Sequence, residues 1–137
     1  MNTCTIQITR SSFYSDTINK RIEKRNNQIK EKLNKLLYDK ETLNTIIDVV
    51  CERFNYTKYD ILGHKRNRNV VIARQYIVQL ALKMTGYTLT ELGKKLNRDH
   101  STIIYSRDVF EGLYKNEYKY RIVFDDIKKD LKEIFYK

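Results

Sequence analysis

Apolar side chains recur along this chain at the three- and four-residue spacing that places them on one face of a helix. Leu43, Ile46, Ile47, Val50, Cys51 and Phe54 trace such a face over Glu41 to Phe54. Ala73, Tyr76, Ile77, Leu80, Ala81 and Met84 trace another over Val70 to Thr85, the strongest helix signal in the chain, and Gly86 is placed to close it in a left-handed conformation. Thr88 to Leu96 carries Leu89, Leu92 and Leu96 inward. Thr88 and Glu91 have the spacing of a capping box, and Gly93 permits a close helix approach. Asn97-Arg98 then reads as a turn, and Asp99 as the N-cap of a helix from His100 to about Asn116 with Ile103, Phe110 and Leu113 on its inner side. A closing helix over Tyr118 to Tyr136 turns Tyr120, Val123, Phe124, Ile127, Leu131, Ile134 and Phe135 inward.

The first third of the chain is patterned more thinly. Ile18, Ile22, Ile29, Leu33 and Leu36 predict a helix over Thr17 to Tyr38, with a stripe interrupted by Arg25 and Asn26. Two readings stand: a surface helix packing one edge on the domain, or a short coiled coil that dimerises the protein. Cys4, Ile6 and Ile8 alternate with period two but have no partner strand, so residues 1–16 read as a flexible or docked arm. Asn55 to Leu62 reads as a loop and short turn. The expected organisation is an arm and basic helix over residues 1–40 and a helix-turn-helix domain over residues 41–137.

Composition agrees with a mainly helical chain, since its 137 residues include no proline and only four glycines. The formal net charge of +10 favours polyanions, and it is unevenly placed. Residues 63–110 hold nine basic and three acidic side chains, residues 20–40 eight and three, while residues 41–62 are net acidic. Cys4 and Cys51 lack C-x-x-C spacing and read as thiols in a reducing compartment. With no membrane-length apolar run and no signal-peptide core, the expected location is intracellular: cytoplasmic and nucleoid-associated, or virion-associated if the chain comes from a phage. His64 and His100 lie in different segments without metal-ligand spacing to the cysteines, and no serine sits in a nucleophile elbow. No metal, cofactor or catalysis is expected. Asp125, Asp126 and Asp130 alternate with Lys128, Lys129 and Lys132 and read as paired surface charges.

Two segments carry the candidate chemistry. Gly63 to Asn69 is a basic loop whose Lys65, Arg66 and Arg68 have no acid among them. Such a loop can enter a groove or lie along phosphates, or it can be a hydrated turn. The second segment is His100-Ser101-Thr102, the first turn of a helix after a turn, where recognition helices of this motif class touch base edges. Hydroxyls can bond bases or phosphates, the threonine methyl can meet a thymine methyl, and histidine can donate or accept. Lys94, Lys95 and Arg98 add cations beside the turn.

The blocks R-N-R-N-V-V-I-A-R-Q, T-G-Y-T-L-T-E-L-G and R-D-H-S-T-I resemble, in order and spacing, the C-terminal DNA-binding domain of the bacterial replication initiators of the DnaA family, over about residues 42–115. The resemblance implies an all-α, Trp-repressor-like helix-turn-helix bundle, here with an extra N-terminal arm and helix and a C-terminal helix. It implies binding to a short, A·T-rich duplex element. It matches Arg66 to an arginine in the minor groove, Arg74 to a base-reading arginine, Gln75 to a contact with the DNA backbone, and Asp99, His100, Ser101 and Thr102 to the major-groove tip. Ser101 stands where the family usually has threonine, Ala73 where it has proline, and Leu82 where a lysine is common, which implies a shifted site preference. The ATPase module of the full initiators is not expected: the chain has no G-x-x-x-x-G-K-[ST] loop, and the 41 residues before the match are too few to hold one.

Two functions follow as expectations. The first is a sequence-preferring binder of double-stranded DNA in replication or transcription control, with a replication protein or a second copy as a further partner through residues 17–38. The second is a packaging or scaffolding protein that reuses the fold for nonspecific nucleic-acid contact.

Overall fold

The computed structural model describes the backbone of residues 2–136 and the side chains of residues 15–136; every regular element among them is a helix. In chain order these are α1 (Asn2–Phe54), α2 (Lys58–Leu62), α3 (Arg68–Met84), α4 (Leu89–Lys95), α5 (His100–Asn116) and α6 (Tyr118–Phe135). The chain divides into two compact units, Met1–Tyr38 and Asp39–Lys137.

The helix α1 differs from the expectation of an arm followed by two separate helices. Residues 1–54 contain neither glycine nor proline, so nothing in the sequence interrupts the i to i−4 ladder. The period-two signal around Cys4 has no neighbouring strand to pair with, and an unpaired strand cannot compete with a helix that satisfies its own backbone. The side chains of Cys4, Ile6 and Ile8 lie outside the described residues. In the first unit the apolar stripe stays in solvent: Ile18, Ile22, Ile29, Leu33 and Leu36 are each 49–56% exposed.

In the second unit α3 is the central element. Val70, Ala73, Tyr76, Ile77, Val78, Leu80 and Ala81 are all buried, as are Gln75 and Gln79. That is too many positions for one face. The helix is enclosed, with α2, α4 and α5 packed on it. Tyr76 seeds an aromatic cluster: its ring lies 4.8 Å from Phe110 and 5.4 Å from Phe54, and Phe110 lies 5.3 Å from Phe124 of α6. Its hydroxyl donates to the Tyr120 carbonyl at 3.3 Å, and burial pushes its pKa up to about 12. Cys51 is a buried free thiol, whose pKa burial also raises. On α6 the inward positions run from Tyr120 to Leu131, while Ile134, beyond the last wholly buried position, is half exposed.

Three local expectations are corrected. No described glycine has positive φ, so Gly86 does not close α3 in a left-handed conformation. The helix ends instead on extended Thr85, whose N–H and hydroxyl both donate to the Ala81 carbonyl, at 2.9 and 2.6 Å. Gly86 N–H is thereby delivered to the buried carboxylate of Asp39. The carboxylates of α6 do not pair with their own lysines: Asp126 meets Arg53 of α1 at 3.4 Å, and Asp125 accepts from the Tyr114 hydroxyl of α5 at 3.2 Å. Packing brings those donors closer than the i, i+4 neighbours. Finally, Lys58–Leu62 is a true helix, capped at its start by a reciprocal Thr57–Asp60 capping box.

Gly93 behaves as its spacing predicts. A Cβ built there would stand 2.7 Å from the Arg98 backbone carbonyl, in a turn already fixed by the bond from Arg98 N–H to the Gly93 carbonyl. Gly93→Ala should therefore lower the stability measured by chemical denaturation by about 1–3 kcal/mol, as overpacking against backbone does. An unchanged denaturation midpoint would show that the turn can give way.

Candidate nucleic-acid interface

Helices α4 and α5 and the turn between them form the helix-turn-helix. Thr88 opens α4 by accepting the Glu91 N–H at 3.2 Å. The return carboxylate bond that would complete a capping box is absent, so half the predicted motif forms. Leu92, Leu96 and Ile103 are buried on the inner side. Asn97 adopts φ of 56°, the left-handed conformation that asparagine tolerates, and turns the chain into α5. Asp99 occupies the N-cap position with extended backbone, yet its side chain makes no cap bond. The first-turn amides of α5 therefore have no side-chain acceptor, and Asp99, His100, Ser101 and Thr102 are all exposed.

The basic loop runs from the end of α2 to the start of α3. Its shape is set by Arg74, in the second turn of α3. The Arg74 guanidinium donates through Nε to the Ile61 carbonyl at 2.6 Å, through Nη1 to Lys65 at 2.6 Å, and through Nη2 to Asp60 at 3.0 Å and Gly63 at 2.9 Å. These are the unsatisfied carbonyls at the end of a short helix and those of the loop that follows. Arg98, from the helix-turn-helix turn, donates to the same Gly63 carbonyl and, through Nη1, to the Asn97 carbonyl at 2.8 Å. Burial lowers the Arg74 pKa, and the neighbouring Arg98 charge lowers it further. Lys65 is paired with Asp60 at 2.7 Å. Among the described residues, Arg66 and Arg68 make no ion pair, and both are exposed.

These arrangements put loop and tip around one open groove of about 870 Å³. The loop contributes His64, Lys65 and Arg66, and α3 contributes Arg74. The helix-turn-helix contributes Gly93, Lys94, Asn97, Arg98, Asp99 and Thr102. Five permanent cations thus face the single carboxylate of Asp99. His100 and Ser101 are exposed in the same first turn of α5 as Thr102. Arg68 and Lys95 are exposed but do not line the groove. Gln75 is not brought to it either: it lies on the enclosed side of α3, 6% exposed, with its Oε1 unpartnered. Sequence reasoning missed the tie of Arg74 and Arg98 to the loop backbone. It also missed the cap of α2, although Thr57-Lys58-Tyr59-Asp60 has the threonine-x-x-acid spacing that would have marked it.

A short helix, a left-handed turn and a second helix presenting its exposed first turn beside a cationic groove define the helix-turn-helix class of DNA-binding domains. The bacterial dnaA protein helix-turn-helix family matches residues 43–109, and through that segment the chain belongs to this family. Three relatives are each a chromosomal replication initiator protein DnaA. That of Treponema pallidum (strain Nichols) is 43% identical over 72 residues, covering 52% of this chain and 16% of the relative. That of Lachnoclostridium phytofermentans is 34% identical over 91 residues, covering 66% and 20%. That of Streptococcus thermophilus (strain CNRZ 1066) is 35% identical over 97 residues, covering 68% and 21%. The chain thus spans about a fifth or less of the length of these relatives. No helix among the described residues is long and apolar enough to cross a membrane, and none of their His, Cys, Asp and Glu side chains cluster as a metal site.

Asp60 gives the loop a pH signature. Its hydrogen bond with Lys65, then that with Thr57, holds its pKa down at about 2. A depressed carboxylate stabilises the fold above its unfolded pKa, and that contribution is lost as pH falls through the folded value. The anchoring of the loop should persist through pH 4 and weaken only toward pH 2. An NMR titration of the Asp60 carboxyl should give a midpoint near 2, whereas a midpoint near the ordinary 3.8 would show that the Lys65 and Thr57 contacts are not held in solution.

Proposed function

We propose that this chain is a sequence-preferring binder of double-stranded DNA that straddles the duplex, with the first turn of α5 in the major groove and the basic loop on the minor groove and flanking phosphates. One observation carries this reading: the cationic loop and the recognition tip flank a single groove, with Arg66 on one side and Asp99 and Thr102 on the other. Each part has its own chemistry. Arg66, without an ion pair among the described residues, supplies charge and reads a narrow groove. His100, Ser101 and Thr102 present a ring, hydroxyls and a methyl to base edges. Lys94, Lys95 and Arg68 add phosphate contacts that position the domain without reading sequence. The work is binding rather than catalysis. It acts on intracellular DNA, in replication or transcription control, at elements of the kind that initiators recognise.

Self-association through the first unit completes the reading. Taking Ile22, Ile29 and Leu36 as d positions of a heptad places Asn19, Asn26 and Leu33 at a. These residues are exposed, and an asparagine at a favours a parallel two-stranded coil at some cost in stability. A second copy would cover the stripe and bring two reading heads to one DNA. Sedimentation equilibrium should show a dimer that Ile29→Asp with Leu33→Asp converts to monomer. A monomeric wild-type chain at micromolar concentration would remove this part.

Selection of bound oligonucleotides from a random duplex pool tests the main reading, with variants measured on the recovered duplex and on a scrambled one. Arg66→Ala should weaken both and reduce the slope of log affinity against log salt by about one. His100→Ala and Thr102→Ala should instead reduce discrimination by about 1–3 kcal/mol at one base pair, with little change on the scrambled duplex. A pool that yields no preferred sequence, with a steep salt dependence, would point to packaging instead.

A further inference from the structure

We propose that Arg74 and Arg98 form a clamp on the Gly63 carbonyl that fixes the spacing between the basic loop and the recognition tip, so that both arginines serve DNA binding as positioning residues and Arg74 reads no base. The inference rests on the DNA-binding reading above and assigns these two side chains a role that differs from direct contact.

Donor accounting carries it. A base edge read by arginine needs two parallel N–H donors. In Arg74 the Nε–H, one N–H of Nη1 and both of Nη2 are taken by the carbonyls of Ile61, Lys65, Asp60 and Gly63, leaving a single N–H on Nη1. Bidentate reading would require breaking bonds that nothing else present replaces at the Asp60, Ile61 and Lys65 carbonyls, which lie at a helix end and in a loop. The Gly63 carbonyl accepts from both guanidiniums, so its two lone pairs join α3 to the helix-turn-helix turn. Neither arginine has a carboxylate within ion-pair distance among the described residues. Two like charges held on neutral carbonyls are an unfavourable neighbourhood for loop stability alone. The arrangement becomes favourable when a polyanion lies in the groove that both line. The clamp thus presents Arg66 at a set distance from Asp99 and Thr102, and a duplex meets loop and tip without first ordering the loop.

Arg74→Lys tests this in the full chain, because lysine keeps the charge and removes the fork. In the free protein, backbone order parameters of residues 64–67 should fall from about 0.85 toward 0.6, with those of α6 unchanged. On the selected duplex, Arg74→Lys should weaken binding as much as Arg66→Ala does, and the double variant should bind no worse than Arg66→Ala alone. If Arg74 reads a base directly, the loop stays rigid in Arg74→Lys, the loss falls on the selected duplex and spares a scrambled one, and it adds to that of Arg66→Ala; any of these overturns the clamp. Should Arg74→Lys disorder α6 as well, Arg98→Lys cuts the same carbonyl from the other element and is read identically. A wild-type chain without duplex preference would fail the functional reading, while the order parameters would still judge the clamp on their own.

Discussion

Enclosure of α3 is the constraint from which the rest of the second unit follows. A helix with every residue from Gln75 to Ala81 buried is stable only if neighbours cover that stretch around most of its circumference. Each of its fully buried large side chains contributes about 1.5–3 kcal/mol. The small residues at 73 and 81 let neighbours approach, and Tyr76 supplies the volume that Phe54 and Phe110 pack against. Once α3 is enclosed, the positions of α4 and α5 are settled and the groove exists. Arg74 is the exception within the enclosed stretch. Flanked by buried Ala73 and Gln75, its guanidinium can leave the core only toward the end of α2.

That exit exemplifies how this chain closes its helices. With no proline and few glycines, it terminates helices with side chains. Thr57 and Thr88 accept first-turn amides, and Thr85 seals the end of α3. Arginines seal two C-termini: Arg74 covers the Asp60 and Ile61 carbonyls at the end of α2, and Arg121, early in α6, donates to the Tyr114 and Lys115 carbonyls at the end of α5. A cation at a helix C-terminus also meets the negative end of the helix dipole. The same residue type that gives the protein its charge therefore holds its backbone, and the basic composition is not wholly available to a ligand. Lys65, tied to Asp60, and Lys83, over the Phe124 ring at 5.1 Å, are further examples. Among the described residues Arg66 and Arg68 make no ion pair, a difference invisible in a charge count.

Much of the second unit was legible from spacing. Each predicted helix from Val70 onward is present within a few residues of its expected ends, because periodic burial is a local property that the order of residues expresses directly. The turn at Asn97-Arg98 and the close approach at Gly93 were legible for the same reason. So were the candidate loop and tip, since a run of cations and an exposed helix start are sequence features. Less legible were the helix through residues 2–16, where a weak alternation masked the lack of any breaker, and the partners of Asp125 and Asp126, which come from α5 and α1.

The order of residues alone established a helical, strongly basic chain with a helix-turn-helix, and it identified the segments that carry its chemistry. Folding alone settled which cations remain free. Arg74 and Gln75 are adjacent in sequence, yet one reaches the groove holding four carbonyls and the other is buried with an unpartnered oxygen. Arg98 and Gly63 are 35 residues apart in sequence and meet through a hydrogen bond. Such pairings depend on the direction in which an enclosed helix presents each side chain, and hydrogen bonds between distant segments leave no periodic trace in the sequence.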